Sequence, residues 1–250
     1  MTMTKPRFRV RALHQVEITS RCNLRCRYCP SPHLPRAKMD MSEDVYLSAM
    51  DWVRHFAARG TQREVNLAGI GESTMHPDFV RYVALARDAI GERGDVTMAT
   101  NGLLITDELA VAIKPFRPRI WVSMHRPEKA GPAIEVLKRH GLLAGYSADP
   151  SLAAIDWAGQ VAWHVSAAPN MACDWIVTGR AFLMADGRVS ACCLDASGAG
   201  VFAELPHNAL DQEYTSPYSL CRTCHQHINV TGYDQRAVVP TNEREGVLTP

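Results

Sequence analysis

Apolar residues recur along this chain at two alternating spacings. Short runs at Val16–Thr19, Val65–Ala68, Val96–Thr100 and Ile120–Met124 read as buried strands. Between them the apolar positions fall three and four apart, the period of a helix. Val45, Ala49, Trp52, Val53 and Phe56 form one stripe over a helix from about Ser42 to Arg59, with Gly60 just past its end. Asp40 and Glu43 sit at capping-box spacing before it. Phe79, Val83, Ala86 and Ile90 form a second stripe, opened near Pro77 and closed by Gly91. Thr106 caps a short helix that Pro115 stops, and a further helix near Pro132–His140 ends at Gly141. Leu142–Ser147 and Val161–Val165 read as a fifth and a sixth strand, and "ADPSLAAIDWAGQ" between them holds at most one short helix.

Strands alternating with helices predict an α/β fold with a parallel sheet. Five to six units are too few to close an eightfold barrel, so residues 1–167 are expected to form a partial, open β/α TIM-like barrel. Sites in such folds gather at the C-terminal ends of the strands. From about Ala168 the alternation stops. Five cysteines follow, and "DGRVSACC" reads as a hairpin turning at Asp186-Gly187. Residues 168–230 are expected to form a small Cys-rich domain, too small to trust a core alone and so stapled by metal. Residues 231–250 read as a polar tail. No internal repeat stands out.

Charge changes the picture little. The 250 residues carry 27 basic and 26 acidic side chains, a net +1. That balance indicates no general attraction to nucleic acid or an anionic membrane. A local bias runs through Lys5, Arg7, Arg9 and Arg11, then Arg21, Arg25, Arg27, Arg36 and Lys38. It reads either as a solvated face or as a rim that docks an acidic partner. The opening residues hold no apolar segment of signal-peptide type, and no apolar run approaches membrane-spanning length. A cytoplasmic setting is expected, where clustered cysteines mean metal or redox chemistry more than disulfides.

The chemistry starts at "CNLRCRYC", residues 22–29, where Cys22, Cys26 and Cys29 stand as C-x3-C-x2-C. A structural zinc site closes with four ligands, so three point to a centre with one position open. A zinc knuckle completed by His14 or His33 is the plain alternative. The spacing, with Tyr28 before the last cysteine and a strand just upstream, resembles the radical S-adenosylmethionine (SAM) family. The resemblance covers roughly residues 14–165. It implies a 4Fe-4S cluster on Cys22, Cys26 and Cys29 whose open iron is chelated by SAM. Reduction then yields a 5′-deoxyadenosyl radical that takes a hydrogen atom from the substrate. Gly69, Gly71 and Glu72 in "AGIGES" resemble the family's Gly-Gly-Glu motif, with Ile70 interposed and Ser73 in place of Pro. Glycines admit close backbone approach to a ligand, and a carboxylate can accept from an ammonium group. Thr100, Asn101 and Gly102 after the third strand, and Ser123 after the fourth, resemble positions that contact SAM's ribose or carboxylate. Tyr28 would lie against the adenine.

The later cysteines form a second pattern, C-x13-G-x4-C…C-x2-C, on Cys173, Gly187, Cys192, Cys221 and Cys224. It resembles the shortened auxiliary-cluster module called twitch, related to the SPASM module. The resemblance implies a second, fully ligated 4Fe-4S cluster that accepts an electron from a substrate radical. Cys193 is left over, and a swap with Cys192 stays open. A structural zinc on four thiolates is the alternative for this site. His225 and His227 sit beside the last pair. The layout is similar to compact radical SAM dehydrogenases that oxidise a secondary alcohol of an aminocyclitol. The expected reaction is therefore two-electron oxidation of a small molecule. Redox-neutral isomerisation or epimerisation, or modification of a peptide, nucleoside or nucleic-acid base, are the rivals within the family. A non-catalytic zinc or iron–sulfur protein is the rival outside it. The family implies a flavodoxin or ferredoxin as reductant. For the substrate side, His125 and Arg126 after the fourth strand are the leading catalytic candidates, followed by Asp149, Trp163 and His164.

Overall fold

The computed structural model describes residues 7–147, 157–161, 173–215, 219–222 and 224. Its strands are β1 (Arg7–Arg9), β2 (Ala12–Val16), β3 (Glu64–Asn66), β4 (Asp95–Thr100), β5 (Arg119–Ser123), β6 (Leu143–Ser147), β7 (Arg180–Leu183), β8 (Arg188–Ser190), β9 (Val201–Glu204) and β10 (Glu213–Thr215). The helices are α1 (Glu43–Ala58), α2 (Phe79–Ile90), α3 (Asp107–Ile113), α4 (Pro127–His140) and α5 (Asp174–Thr178). Among the described residues one sheet runs in the order β6-β5-β4-β3-β2-β7-β8-β9. It is parallel from β6 to β7 and antiparallel from β7 to β9. This is an open α/β sheet of partial-barrel type. A separate antiparallel ribbon pairs β1 with β10.

The apolar stripes account for the packing. Leu13, Val16, Val65, Val96, Ile120 and Val122 are fully buried on the strands, and Tyr46, Trp52, Val53, Tyr82 and Val83 on the helices face the same core. Each such burial contributes about 1.5–3 kcal/mol. Tyr46 and Tyr82 stack at 3.8 Å, and the Tyr46 hydroxyl donates to the Tyr82 carbonyl at 2.6 Å, which locks α1 to α2.

Several elements differ from expectation, and β3 ends at Asn66 rather than Ala68. The first barrel strand is Ala12–Val16, not Val16–Thr19, because its partner β7 lies alongside that stretch, from Ala12 opposite Arg180 to Val16 opposite Leu183. Ile18 is buried all the same, in a stretch that only bridges Thr19 to Asp40. Asp40 does not cap α1. It accepts from the Thr19 hydroxyl at 2.6 Å, and Ser42 is the N-cap. Helix α4 begins at Pro127, a residue suited to the first helical position, and carries Pro132 inside it. Thr106 does cap α3, accepting from the Leu109 N–H at 3.2 Å.

The hairpin at Asp186-Gly187 forms between β7 and β8, with Gly187 at φ 89°. Through β2 and β7 the C-terminal strands β7–β9 extend the barrel sheet itself. All but Val161 of the expected sixth strand, the boundary at residue 167 and the tail 231–250 lie outside the described residues.

Candidate active site

A cavity of about 260 Å³ opens at the C-terminal ends of β3, β4 and β5. Cys22, Cys26, Cys29 and Tyr28 of the cysteine loop line it, with Gly69, Gly71 and Glu72 after β3, Thr100 and Asn101 after β4, and Ser123 and His125 after β5. The sequence motifs thus converge on one space although they lie up to a hundred residues apart.

The physical reasons differ in part from those read from sequence. A Cβ on Gly69 would stand 2.4 Å from the Glu17 Cβ, and one on Gly71 would stand 2.1 Å from the Thr19 carbonyl oxygen. Both glycines are therefore demanded by close approach to the chain that leads into the cysteine loop. The Glu72 carboxylate is 3% exposed and already satisfied. It accepts from the Thr74 and Thr100 hydroxyls at 2.7 Å each and from the Asn101 N–H at 2.7 Å. Its own N–H donates to the Arg21 carbonyl at 2.7 Å. Asn101 Nδ2 donates to Asn23 Oδ1 at 2.7 Å. Glu72 and Asn101 thus tie the cysteine loop to two strand ends. Gly102 does not line the cavity. Its Cβ position faces Ala133, Val122 and Ala130, so this glycine serves the packing of α4.

His125 reaches the cavity; Arg126 does not. Arg126 is the exposed N-cap of α4, where the chain turns outward. His125 Nδ1 lies 2.6 Å from the Tyr28 hydroxyl, and burial holds the imidazole below its ordinary 6.5. Tyr28 is thereby tied to His125 and, through its carbonyl, to the Trp157 indole N–H at 3.1 Å. Trp157 lines the cavity and went unremarked in the sequence, where only its bulk in a turn-rich stretch hinted at a wall. Asp149, Trp163 and His164 lie outside the described residues. Neither His14 nor His33 lines the cavity with the cysteines.

The chemistry of the donors fits an iron–sulfur group: three thiols on one cavity wall, facing strand ends rich in polar main chain. Burial pushes the Cys22 thiol up and the Cys29 thiol up to about 11. Among the described residues no three His, Cys, Asp or Glu side chains converge as ligands of a single ion.

The second set gathers elsewhere. Cys173 is buried at the N-cap of α5, and burial, with Cys192 and Cys224 nearby, pushes its thiol up to about 11. The Cys193 thiol is held far above the usual range by a hydrogen bond with the neighbouring Cys192 and by burial. Asp195 shapes the loop that carries both. Its carboxylate accepts from the Gly198 and Ala199 N–H groups at 2.8 Å each, from Gly200 N–H at 2.7 Å and from the Ser190 hydroxyl at 2.6 Å.

A buried polar seam joins the two sets. Glu17 accepts from Arg36 Nη2 at 2.6 Å, from the Ile70 N–H at 2.7 Å and from the Ala185 N–H at 3.1 Å. Gln160 Nε2 donates to the carbonyls of Trp157 and Leu194, both at 2.6 Å. The Glu17 link runs from Ile70 at the cavity to Ala185 in the β7–β8 turn, and the Gln160 link from Trp157 at the cavity to Leu194 beside Cys192 and Cys193.

Such a cavity, with three thiols at the head of a partial barrel, places the chain among β/α proteins with a sulfur-lined site at the C-terminal strand ends. Residues 16–171 match the Radical SAM superfamily, and the chain belongs to it. A tungsten-containing aldehyde ferredoxin oxidoreductase cofactor-modifying protein of Pyrococcus furiosus is 39% identical over 97 residues, 38% of this chain and 25% of that protein. A GTP 3′,8-cyclase of Aquifex aeolicus is 30% identical over 122 residues, 46% of this chain and 36% of that one. The aligned part thus spans well under half of either relative. Among solved structures, BtrN in complex with AdoMet and 2-DOIA shares the fold, with TM-score 0.64 and 20% identity over 76% of both chains. Among the described residues no helix is long and apolar enough to cross a membrane.

Proposed function

We propose that the chain is a radical SAM oxidoreductase that dehydrogenates a small molecule carrying a secondary alcohol. In this reading Cys22, Cys26 and Cys29 hold a catalytic 4Fe-4S cluster with SAM on its open iron. Cys173, Cys192, Cys221 and Cys224 hold an auxiliary 4Fe-4S cluster. When bound, the first cluster and SAM supply the 5′-deoxyadenosyl radical that takes hydrogen from the substrate, and the second accepts the electron left behind. The observation that carries the reading is the convergence of three thiols and three successive strand ends on one cavity, with the loop of Cys192 and Cys193 tied to the cavity wall through Gln160.

The residues divide the work. The Gly69–Gly71 main chain, Thr100, Asn101 and Ser123 border the space SAM would fill. Trp157 and Tyr28 wall it from water. His125 takes the proton lost from the alcohol. In the tautomer that carries its proton on Nδ1, donated to the Tyr28 oxygen, Nε2 is the acceptor, and the depressed pKa keeps the ring neutral at pH 7. A flavodoxin or ferredoxin is the proposed reductant.

The GTP 3′,8-cyclase match favours a second reading, ring closure or rearrangement of a small molecule without net oxidation. Anaerobic reconstitution with iron, sulfide and zinc analysis, followed by dithionite and SAM, separates the two. About eight irons per chain with 5′-deoxyadenosine formed supports the dehydrogenase. About four irons with zinc moves the assignment to the second reading. No iron and no cleavage sinks both.

A further inference from the structure

Over much of the described surface, exposed arginines pair with carboxylates: Arg54 with Asp88, Arg81 with Glu43, Arg117 with Glu92 and Arg139 with Asp107. The cysteine loop departs from this. From Ser20 to Met39 the sequence holds no acidic residue but holds Arg21, Arg25, Arg27, Arg36 and Lys38, in a chain whose 27 basic and 26 acidic side chains otherwise balance. Arg36 turns inward to Glu17, and Arg21 is tied to Asp40 at 3.2 Å. Arg25, Arg27 and Lys38 are exposed, and neither Arg25 nor Lys38 pairs with a carboxylate among the described residues. Lys38 Nζ donates to the Ser31 hydroxyl at 3.5 Å, and the Ser31 N–H donates to Cys29 Sγ at 3.4 Å, so this ammonium stands close to the thiols. Exposure alternates along the loop. Arg21, Arg25 and Arg27 face water, whereas Cys22, Leu24, Cys26 and Tyr28 are half-buried and line the cavity. Cys26 is thus bonded on both sides to an exposed arginine.

We propose that the outer face of residues 21–38, through Arg25, Arg27 and Lys38, docks a small acidic electron-carrier protein of the flavodoxin kind. The inference rests on the reading of Cys22, Cys26 and Cys29 as ligands of a cluster that must be reduced. Held together without acids, these cations repel one another and add nothing to the fold. A one-signed rim does steer an acidic partner and fixes its orientation on the surface. Here it brings that partner to the far side of the loop whose inner side carries the thiols. The reduced flavin of the carrier gives up one electron and the cluster gains it; no bond forms or breaks at the rim. A nucleic-acid strand would want exposed aromatic rings to stack on. Tyr28, the aromatic residue of the stretch, faces the cavity instead.

The test measures binding of a purified flavodoxin to the reconstituted full chain by biolayer interferometry without oxygen, on preparations of equal iron content. The variants are the triple Arg25→Gln, Arg27→Gln, Lys38→Gln and the single Lys38→Glu, which lies outside the C-x3-C-x2-C stretch. The control is Arg63→Gln with Arg93→Gln, two exposed arginines that precede β3 and β4 at the opposite strand ends. The triple variant should raise the Kd at least about tenfold and Lys38→Glu about threefold or more, with the control within about twofold. Raising the salt to about 0.5 M should erase most of the difference. Cleavage of SAM driven by dithionite, which needs no docking, should stay within about twofold in every variant. Cleavage by dithionite without flavodoxin binding, or with binding equal in all variants, overturns the inference alone. So does tighter binding of a single-stranded oligonucleotide than of flavodoxin at the same salt. No iron and no cleavage with dithionite overturns the cluster reading and this inference with it.

Discussion

The two cysteine sets are built by opposite means. Cys22, Cys26 and Cys29 lie within one short loop, and the parallel sheet brings polar strand ends to meet them. The surrounding bonds are long-range and dense: Glu72 to Thr100 and Asn101, Asn101 to Asn23, Glu72 to Arg21. The later set is spread over residues 173–224 and is assembled by the hairpin β7–β8, the Asp195 loop and the β1–β10 ribbon. Phe8, Phe202 and Tyr214 pack ring on ring at the β1–β10 ribbon. In the proposed reading the first set, facing a cavity with polar walls, serves the reaction and the second serves electron transfer; the surroundings, not the sulfur, decide the difference.

The sharpest break between the sets comes from one cysteine in each. Cys26→Ala should lower 5′-deoxyadenosine formation from SAM at least about a thousandfold, the scale of losing an indispensable catalytic group. Cys221→Ala should leave that cleavage within about twofold and lower only the iron content. Quantifying 5′-deoxyadenosine by chromatography reads both. Cleavage retained in Cys26→Ala, or abolished in Cys221→Ala, would erase the division of labour.

Next in size is the seam between them. Glu17 and Arg36 are an ion pair with side chains 0% and 4% exposed, and Arg36 Nη1 has no partner among the described residues. Burial pushes the Glu17 carboxyl up, while Arg36 and the Ile70 and Ala185 N–H groups pull it back. Arg36→Ala leaves a buried carboxylate unpaired and should cost about 3–5 kcal/mol. Arg54→Ala, which breaks an exposed pair with Asp88, should cost about 0–1 kcal/mol. Denaturant midpoints on the metal-free chain check the contrast. Equal shifts would mean that the seam does not hold the two halves together.

How much could be read in advance follows the same contrast. The C-x3-C-x2-C loop is local, so its spacing alone announces three ligands. Stripes such as Val45, Ala49 and Phe56 placed α1 within a residue at each end. Glu72 was visible as a residue but not as a staple, because its partners Thr100 and Asn101 arrive through sheet register. Gly69 and Gly71 were visible as glycines, yet the atoms that forbid a side chain there belong to Glu17 and Thr19. Trp157 and Gln160 belong to no motif or period that marks their place. Their importance lies in what stands beside them, and no local period encodes that. β2 was shifted because a run of apolar residues marks burial, whereas hydrogen-bonded pairing depends on where β7 lies.

The smallest effect concerns the open site's own acid–base chemistry. Burial depresses His125 below 6.5, so in the metal-free chain its ring signals should titrate below that value by nuclear magnetic resonance. The sign for stability follows: the unfolded chain binds this proton more readily, so the contribution is intact above 6.5 and declines as pH falls below it. With a secondary-alcohol substrate, the base must be neutral, so turnover should hold through pH 6.5 and fall only at lower pH. His125→Gln should remove that acid limb and lower turnover about a hundredfold, the usual worth of a positioned base. Cleavage of SAM should persist in the variant, since hydrogen abstraction precedes proton loss. Tyr28→Phe, which takes the partner from Nδ1, should move the limb without abolishing it. An acid limb that stays in place in His125→Gln would assign the proton to another group and leave the cavity without its base.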